Sequence, residues 1–333
     1  MFFAQSYGLA ILFCIITMLC WGSWANLQKA TGKKWAFQYF YWDYAIGVLL
    51  ISFILAITLG NTGDIGRGFF TDLAQANTGM ILLALIGGIV FNLANILLVA
   101  AIDIAGMAVA FPVAIGLALV LGVILNYIAN PLGNALVLAI GVICVAIAII
   151  LDAKAYKTLK AHLTQSAFKK GLIIALISGA LMGTFYYFVA ASMITNFHTP
   201  EAGKLTPYSA AVIFAIGLFL SNFIINTWMM KKPFIGEPIK GSGYFKGSFR
   251  AHIFGILGGA IWGLGTGLNF IAAGTAGPAI SYGLGQGATM IAALWGVFIW
   301  REFKQAPQSA NKLLLCMFIF YFIGLLLIIF AKA

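Results

Sequence analysis

GGIVFNLANILLVAAIDIAGMAVAF, residues 87 to 111, returns without a gap as GGAIWGLGTGLNFIAAGTAGPAISY at residues 258 to 282, an offset of 171. Gly87 and Gly88 fall on Gly258 and Gly259, Ala101 on Ala272, Ala105 and Gly106 on Ala276 and Gly277, and Phe111 on Tyr282. CWGSW at Cys20 to Trp24 lines up in the same sense with LMGTF at Leu181 to Phe185. Each long stretch is an apolar run, a tight Ala-Gly connection and the start of a second run. The chain therefore reads as a set of five helices duplicated. Five is odd, so the second set must enter a membrane in the opposite sense to the first. Inverted repeats of this kind recur in secondary transporters, where solute binds near the midplane between the halves and rocking alternates its access.

Composition agrees with that reading. Of 333 residues 62% are hydrophobic and 8% charged, where a soluble domain carries roughly a quarter charged residues. A spanning helix needs about 20 mostly apolar residues, because only an intrahelical ladder satisfies the backbone where water is absent. Hydropathy and helix breakers predict ten spans, near residues 6 to 27, 39 to 60, 78 to 101, 107 to 127, 135 to 153, 169 to 192, 207 to 230, 251 to 273, 278 to 299 and 311 to 331. The predicted class is an all-α integral membrane protein with a 5+5 inverted-topology repeat. One half occupies residues 1–153 and the other 169–333, joined by a cytoplasmic connection at 154–168. MFFAQSYGLAILF at the N-terminus lacks the basic flank of a secretory signal and reads as the first span.

The net charge of +11 is distributed among connections rather than along one groove-sized face, which argues against nucleic acid as a partner. Lys and Arg are retained on the cytoplasmic side of a membrane. Here they divide sixteen to three, the poor side holding Arg67, Lys204 and Lys332. Both termini are predicted to face away from the cytoplasm. The four cysteines lie inside apolar spans, and the histidines His162, His198 and His252 are scattered. No metal site, cofactor motif or phosphate-binding loop is expected, and nothing points to an enzyme.

Polar side chains inside apolar spans are costly unless partnered, so they mark where a solute would bind. Trp21 and Trp24 share a face with Gln28 at the end of the first span; Asn92 and Asn95 share one in the third, Asn222 and Asn226 one in the seventh. Trp262, Thr266 and Asn269 line one face of the eighth, and Tyr282, Gln286 and Thr289 one of the ninth. Amides, hydroxyls and aromatic faces with hardly any charge suit a small neutral ligand rich in hydrogen-bonding groups. Interhelical bonding is the alternative role for each of them. Asp43, in YFYWDY, is the acid placed to carry a proton in a symport cycle, or else to help start the second helix. Glu302 in WREFK reads as an interfacial partner of Arg301, and Asp103 as an exposed residue of the third connection. Gly255, Gly259, Gly263 and Gly267 make a side-chain-free groove along the eighth span. Pro112 and the glycines Gly283, Gly285 and Gly287 mark expected breaks in the fourth and ninth spans.

The chain resembles the ureide permease family, a branch of the drug/metabolite transporter superfamily close to the bacterial glucose/ribose porters. The resemblance rests on CWGSW, Asp43 and Tyr44 followed by Leu59 and Gly60, GGIVFNLAN, Leu125 to Tyr127, LGGAIWGLGTGLNF and WGVFIWREFK. It implies proton-linked uptake of a neutral polar solute: a ureide or nucleobase as in plant members, or a monosaccharide as in the porters. Plant members carry a phosphate-binding-type motif in a large central loop, whereas KAYKTLKAHLTQSAFKK here is short and lacks it. A compact form without that loop points to a multi-pass bacterial inner-membrane protein. The expected function is a secondary transporter. A drug or metabolite exporter of the same fold and a non-transporting receptor or assembly protein are the rivals, and a polar cavity near mid-membrane discriminates against the last.

Overall fold

Ten helices long and apolar enough to cross a bilayer follow one another among the described residues of the computed structural model, which are 1–32, 35–158, 165–234 and 236–332. They are α1 (Tyr7–Thr31), α2 (Phe37–Asn61), α3 (Thr78–Ala105), α4 (Val109–Ala129), α5 (Ala135–Lys157), α6 (Phe168–Ser192), α7 (Pro207–Lys231), α8 (Phe249–Ala276), α9 (Pro278–Ile299) and α10 (Gln308–Phe330). Lys33, Lys34, Lys160 and His162 lie outside the described residues. Large apolar side chains stay exposed around the outside, as Leu12, Ile15 and Leu19 do on α1, where hydrocarbon rather than water would meet them. This is an all-α integral membrane architecture.

Hydroxyls and an amide start the helices: Ser6 accepts from the Leu9 N–H at 3.2 Å, Ser248 from Ala251 at 3.3 Å, and Asn134 from Leu136 at 3.0 Å. Several helices outrun their predicted ends. α1 continues to Thr31, α3 to Ala105 and α5 to Lys157, because hydropathy registers the apolar part alone while the backbone ladder continues through polar residues in the interface. Asp103 consequently sits in the last turn of α3 and not in a connection. Gly106 and Gly277, at φ +77° and +91°, make the tight turns from α3 to α4 and from α8 to α9. Only glycine takes that left-handed conformation without cost, which accounts for its matched position in both stretches.

α3 packs against α6 and α7, while α8 packs against α1 and α2; α5 and α10 pack together at one side. Glycine permits the two closest crossings. A Cβ on Gly88 would strike the Phe214 carbonyl of α7 and one on Gly217 the Leu85 carbonyl of α3. A Cβ on Gly259 would strike the Tyr44 carbonyl of α2 and one on Gly47 the Ile256 carbonyl of α8. Gly255, Gly263 and Gly267 also face α2, meeting Asp43, Ile51 and Leu55. The glycine groove of α8 is the seat of α2, a packing role.

Pro112 does not break its helix. It lies in the second turn of the helix that starts at Met107, where one hydrogen bond is lost and the ladder goes on. The glycines of α9 do break theirs: the helix stops at Gly285, resumes at Ala288, and ends in a π-helical turn at Trp295–Ile299. Interruptions of this sort expose backbone and re-aim side chains, here beside Gln286.

Candidate functional site

A cavity of about 460 Å³ enters the bundle from the end where α1, α3, α5 and α9 finish. Its mouth is edged by Lys29, Asp103, Tyr156 and Glu302, and its walls carry Trp21, Trp24, Phe91, Asn95, Asp152, Phe185, Trp262, Gln286 and Thr289. Trp262 forms the centre of the aromatic wall. Its ring stacks with Phe91 at 4.3 Å between centroids and with Trp21 at 5.8 Å, the latter pair only 12° from parallel. Trp24 leans on Tyr44 at 4.9 Å. Flat faces so held present a ready stacking surface to a planar ligand.

The stack is fixed from behind. Trp21 donates its indole N–H to Thr266 Oγ1 at 3.0 Å, and that hydroxyl donates to the Trp262 carbonyl at 3.0 Å. Trp295 donates to Ser23 Oγ at 2.9 Å and Trp300 to Asn26 Oδ1 at 2.6 Å, tying α9 to the end of α1. Within the cavity, polar groups are left over. Asn95 donates to Tyr41 Oη at 3.2 Å, which leaves its amide oxygen without a partner among the described residues. Gln286, 7% exposed, makes no side-chain hydrogen bond among them. Thr289 Oγ1 is 2.5 Å from Tyr321 Oη.

Five of the ten predicted ligand residues thus meet in one cavity: Trp21, Trp24, Asn95, Trp262 and Gln286. The other five bind helices together. Asn92 donates to Ser221 Oγ at 2.8 Å and Asn222 to the Tyr41 carbonyl at 3.5 Å, joining α2 and α3 to α7. Thr266 supports Trp21, as described. Asn269 donates to the Ser281 carbonyl at 2.9 Å and accepts from Tyr186 Oη at 2.6 Å, while Tyr282 donates to the carbonyls of Ala118 and Met182 at 3.2 and 3.1 Å. Asn269→Ala removes two buried hydrogen bonds, leaving Tyr186 Oη only its 3.4 Å contact with the backbone carbonyl of residue 269, and is expected to cost about 1–3 kcal/mol of stability, read as an earlier denaturation midpoint in detergent. An unchanged midpoint would return Asn269 to the list of ligand candidates.

Asp43 lies on α2 away from the cavity, 1% exposed, and both its oxygens are engaged. Tyr244 Oη donates to Oδ1 at 2.5 Å, and His252 Nδ1 lies 2.9 Å from Oδ2. Burial and the adjacent Asp43 carboxylate push the Tyr244 phenol above its usual range, so it keeps the proton it donates. Asp43 is also past the first turn of its helix and does not cap it. Glu302 pairs with Lys29 at 2.9 Å rather than with Arg301, and accepts from Tyr156 Oη at 3.0 Å. Sequence analysis does not single out Asp152, which closes an apolar run two residues before Lys154.

At the far end of the bundle the connections are tied together. Arg67 donates to Asp72 Oδ1 at 2.9 Å and to the carbonyls of Pro200, Glu201 and Lys204 at 3.1, 3.1 and 2.7 Å, locking the α2–α3 connection to the α6–α7 connection.

The family model described as Ureide permease matches residues 40–168 and 154–331. Ureide permease 1 of Arabidopsis thaliana is 25% identical, the match covering 97% of either chain. Ureide permease 2 of the same plant is 24% identical over 100% of this chain and 99% of its own. A protein of known crystal structure, 14% identical, matches over 96% of each chain with a TM-score of 0.58, a likeness of fold alone.

Proposed function

This chain belongs to the ureide permease family and is a multi-pass membrane transporter, and from that premise we propose that its central cavity carries a ureide or a nucleobase. The observation behind the proposal is the pairing of stacked aromatic faces with unpartnered amides. A flat ring edged by N–H and C=O groups would stack on Trp262 and Trp21, give an N–H to the Asn95 oxygen and accept from the Gln286 amide. A neutral solute suits walls whose aromatic and amide groups outnumber their charges. A closed apolar interior would have favoured a non-transporting receptor; the cavity favours carriage.

The drug/metabolite transporter superfamily and its glucose/ribose porters supply the monosaccharide alternative, since sugar faces also stack on tryptophan. The 5+5 inverted repeat is supported by the crossings: Gly88 and Gly259 lie 171 residues apart, Gly47 and Gly217 170 apart, and each meets the equivalent carbonyl of the other half. The excess of lysine at the open end supports a cytoplasmic mouth with both termini on the other side, and the short connection at 154–168 supports a bacterial inner membrane. Proton coupling would make uptake concentrative.

Titration of the detergent-purified protein with allantoin, uracil, ribose and glucose, followed by tryptophan fluorescence, tests the proposal, because Trp21, Trp24 and Trp262 line the site. Quenching by allantoin or uracil is expected; quenching by the sugars alone would move the assignment to a monosaccharide. Gln286→Ala is expected to weaken ureide binding about three- to tenfold, the worth of one hydrogen bond. Its stability should stay unchanged, since the Gln286 side chain makes no hydrogen bond among the described residues. Unaltered affinity in that variant would remove Gln286 from the site.

A further inference from the structure

The eight acidic residues of the chain sort into three groups. Asp64, Asp103 and Glu237 are exposed to the surroundings. Asp43, Asp72, Glu201 and Glu302 each hold hydrogen-bond or ionic partners: Tyr244 and His252, Arg67 and Thr206, Thr195 and Lys204, Lys29 and Tyr156 respectively. Asp152 stands alone as both buried and unpartnered. It is 7% exposed, its Oδ1 is enclosed without a hydrogen-bond partner, and neither oxygen is bonded by any described residue. It lies on the wall of the solute cavity.

From this placement we infer that Asp152 is the carboxyl group that exchanges a proton with the cavity and couples transport to the proton gradient, an inference that rests on reading the cavity as the solute site. An ionised carboxylate withdrawn from water without a cation is costly, and a proton removes the cost. Among the described residues, the titratable groups facing Asp152 offer no cation. Tyr156 lies one turn further along α5, Glu302 follows α9, and Tyr321 comes from α10. The ammonium of Lys29, at the end of α1, is 2.9 Å from Glu302 and thus already engaged. Asp103 of α3, at the mouth, carries the same sign as Asp152.

The step balances simply. With the cavity open to one face, the carboxylate takes one proton from water, forming an O–H bond; with it open to the other, that bond breaks and the proton returns to water. One positive charge moves per neutral solute. Asp43, with both oxygens occupied and no place on the cavity wall, has no such access.

Wild type, Asp152→Asn and Asp43→Asn reconstituted in liposomes test this with labelled allantoin. Wild type is expected to accumulate it down an imposed proton gradient and to generate an inward current. Asp152→Asn should lose accumulation and current yet retain exchange at equal pH, whereas gradient-driven accumulation by Asp152→Asn at the wild-type level would overturn the inference. A ligand-free measurement separates it from the substrate assignment. The acid-minus-alkaline infrared difference spectrum should carry a protonated-carboxyl band in wild type and Asp43→Asn that Asp152→Asn lacks. Absence of allantoin transport in wild type would sink the substrate reading alone, and a full carboxyl band in Asp152→Asn would sink the role of Asp152.

Discussion

Asp72→Ala is expected to cost about 3–5 kcal/mol of stability, the penalty for removing one member of a buried ion pair and leaving the other charged. Asp72 is wholly buried, and its carboxylate serves three donors: Arg67 Nε at 2.9 Å, the Thr206 N–H at 2.7 Å and Gln75 Nε2 at 3.3 Å. Arg67, 17% exposed, would keep its three carbonyl acceptors but lose its counter-charge. The Thr206 N–H would lose its only side-chain acceptor at the start of α7. Unfolding free energy measured in mixed micelles with increasing denaturing detergent checks the figure. A loss below about 1 kcal/mol, the value of an ordinary exposed pair, would mean that the carbonyls alone hold Arg67. Because this hub joins the connections at the far end, the same substitution should also admit a membrane-impermeant thiol reagent from that side to a cysteine placed at Gln286. Unchanged labelling would show that access from that side does not depend on the ion pair.

The fold was open to sequence reading because bilayer physics leaves few choices. A run of apolar residues long enough to cross must be a helix, so the ten spans followed from hydropathy, and the largest end errors fall where turns such as Gln28 to Thr31 extend the ladder past the apolar part. The site was only half legible. Asn92, Asn95, Asn222 and Asn269 are the same residue in the same kind of surroundings, and what separates Asn95 is which way its helix face is turned after α6, α7 and α8 have packed. Asp43 looked like a lone intramembrane acid because its partners Tyr244 and His252 lie 201 and 209 residues further on. Asp152 drew no notice in the sequence because it closes an apolar run two residues before Lys154, and only the assembled bundle shows it buried on the cavity wall. Phe91, apolar and unremarked, shares the centre of the stack because it is the counterpart of Trp262 at the offset of 171.

Gly88→Leu and Gly259→Leu are each expected to abolish recovery of folded protein from membranes, and to do so to a similar degree. At both positions the first added carbon meets a backbone carbonyl, Phe214 in one case and Tyr44 in the other, and backbone cannot swing aside as a side chain does. Separating the helices enough to admit Leu would break α3 from α7, or α8 from α2, along their whole crossing. Overpacking a tolerant core costs about 1–3 kcal/mol, and here the lost approach adds the van der Waals contact that holds membrane helices together. Gly116→Leu on α4 is the control, since nothing lies within 4 Å of its added Cβ, and monodisperse protein at the wild-type level is expected. The comparison between the two glycines carries further than either alone. Equal severity is what a two-fold related pair of crossings requires, because each joins equivalent helices of opposite halves and both would fail in the same way. If size-exclusion chromatography showed Gly88→Leu lost and Gly259→Leu intact, the glycine groove of α8 would be yielding where α3 does not. A crossing that can open on one side only is a hinge, and the rocking motion would then be carried by α2 against α8 rather than shared between the halves.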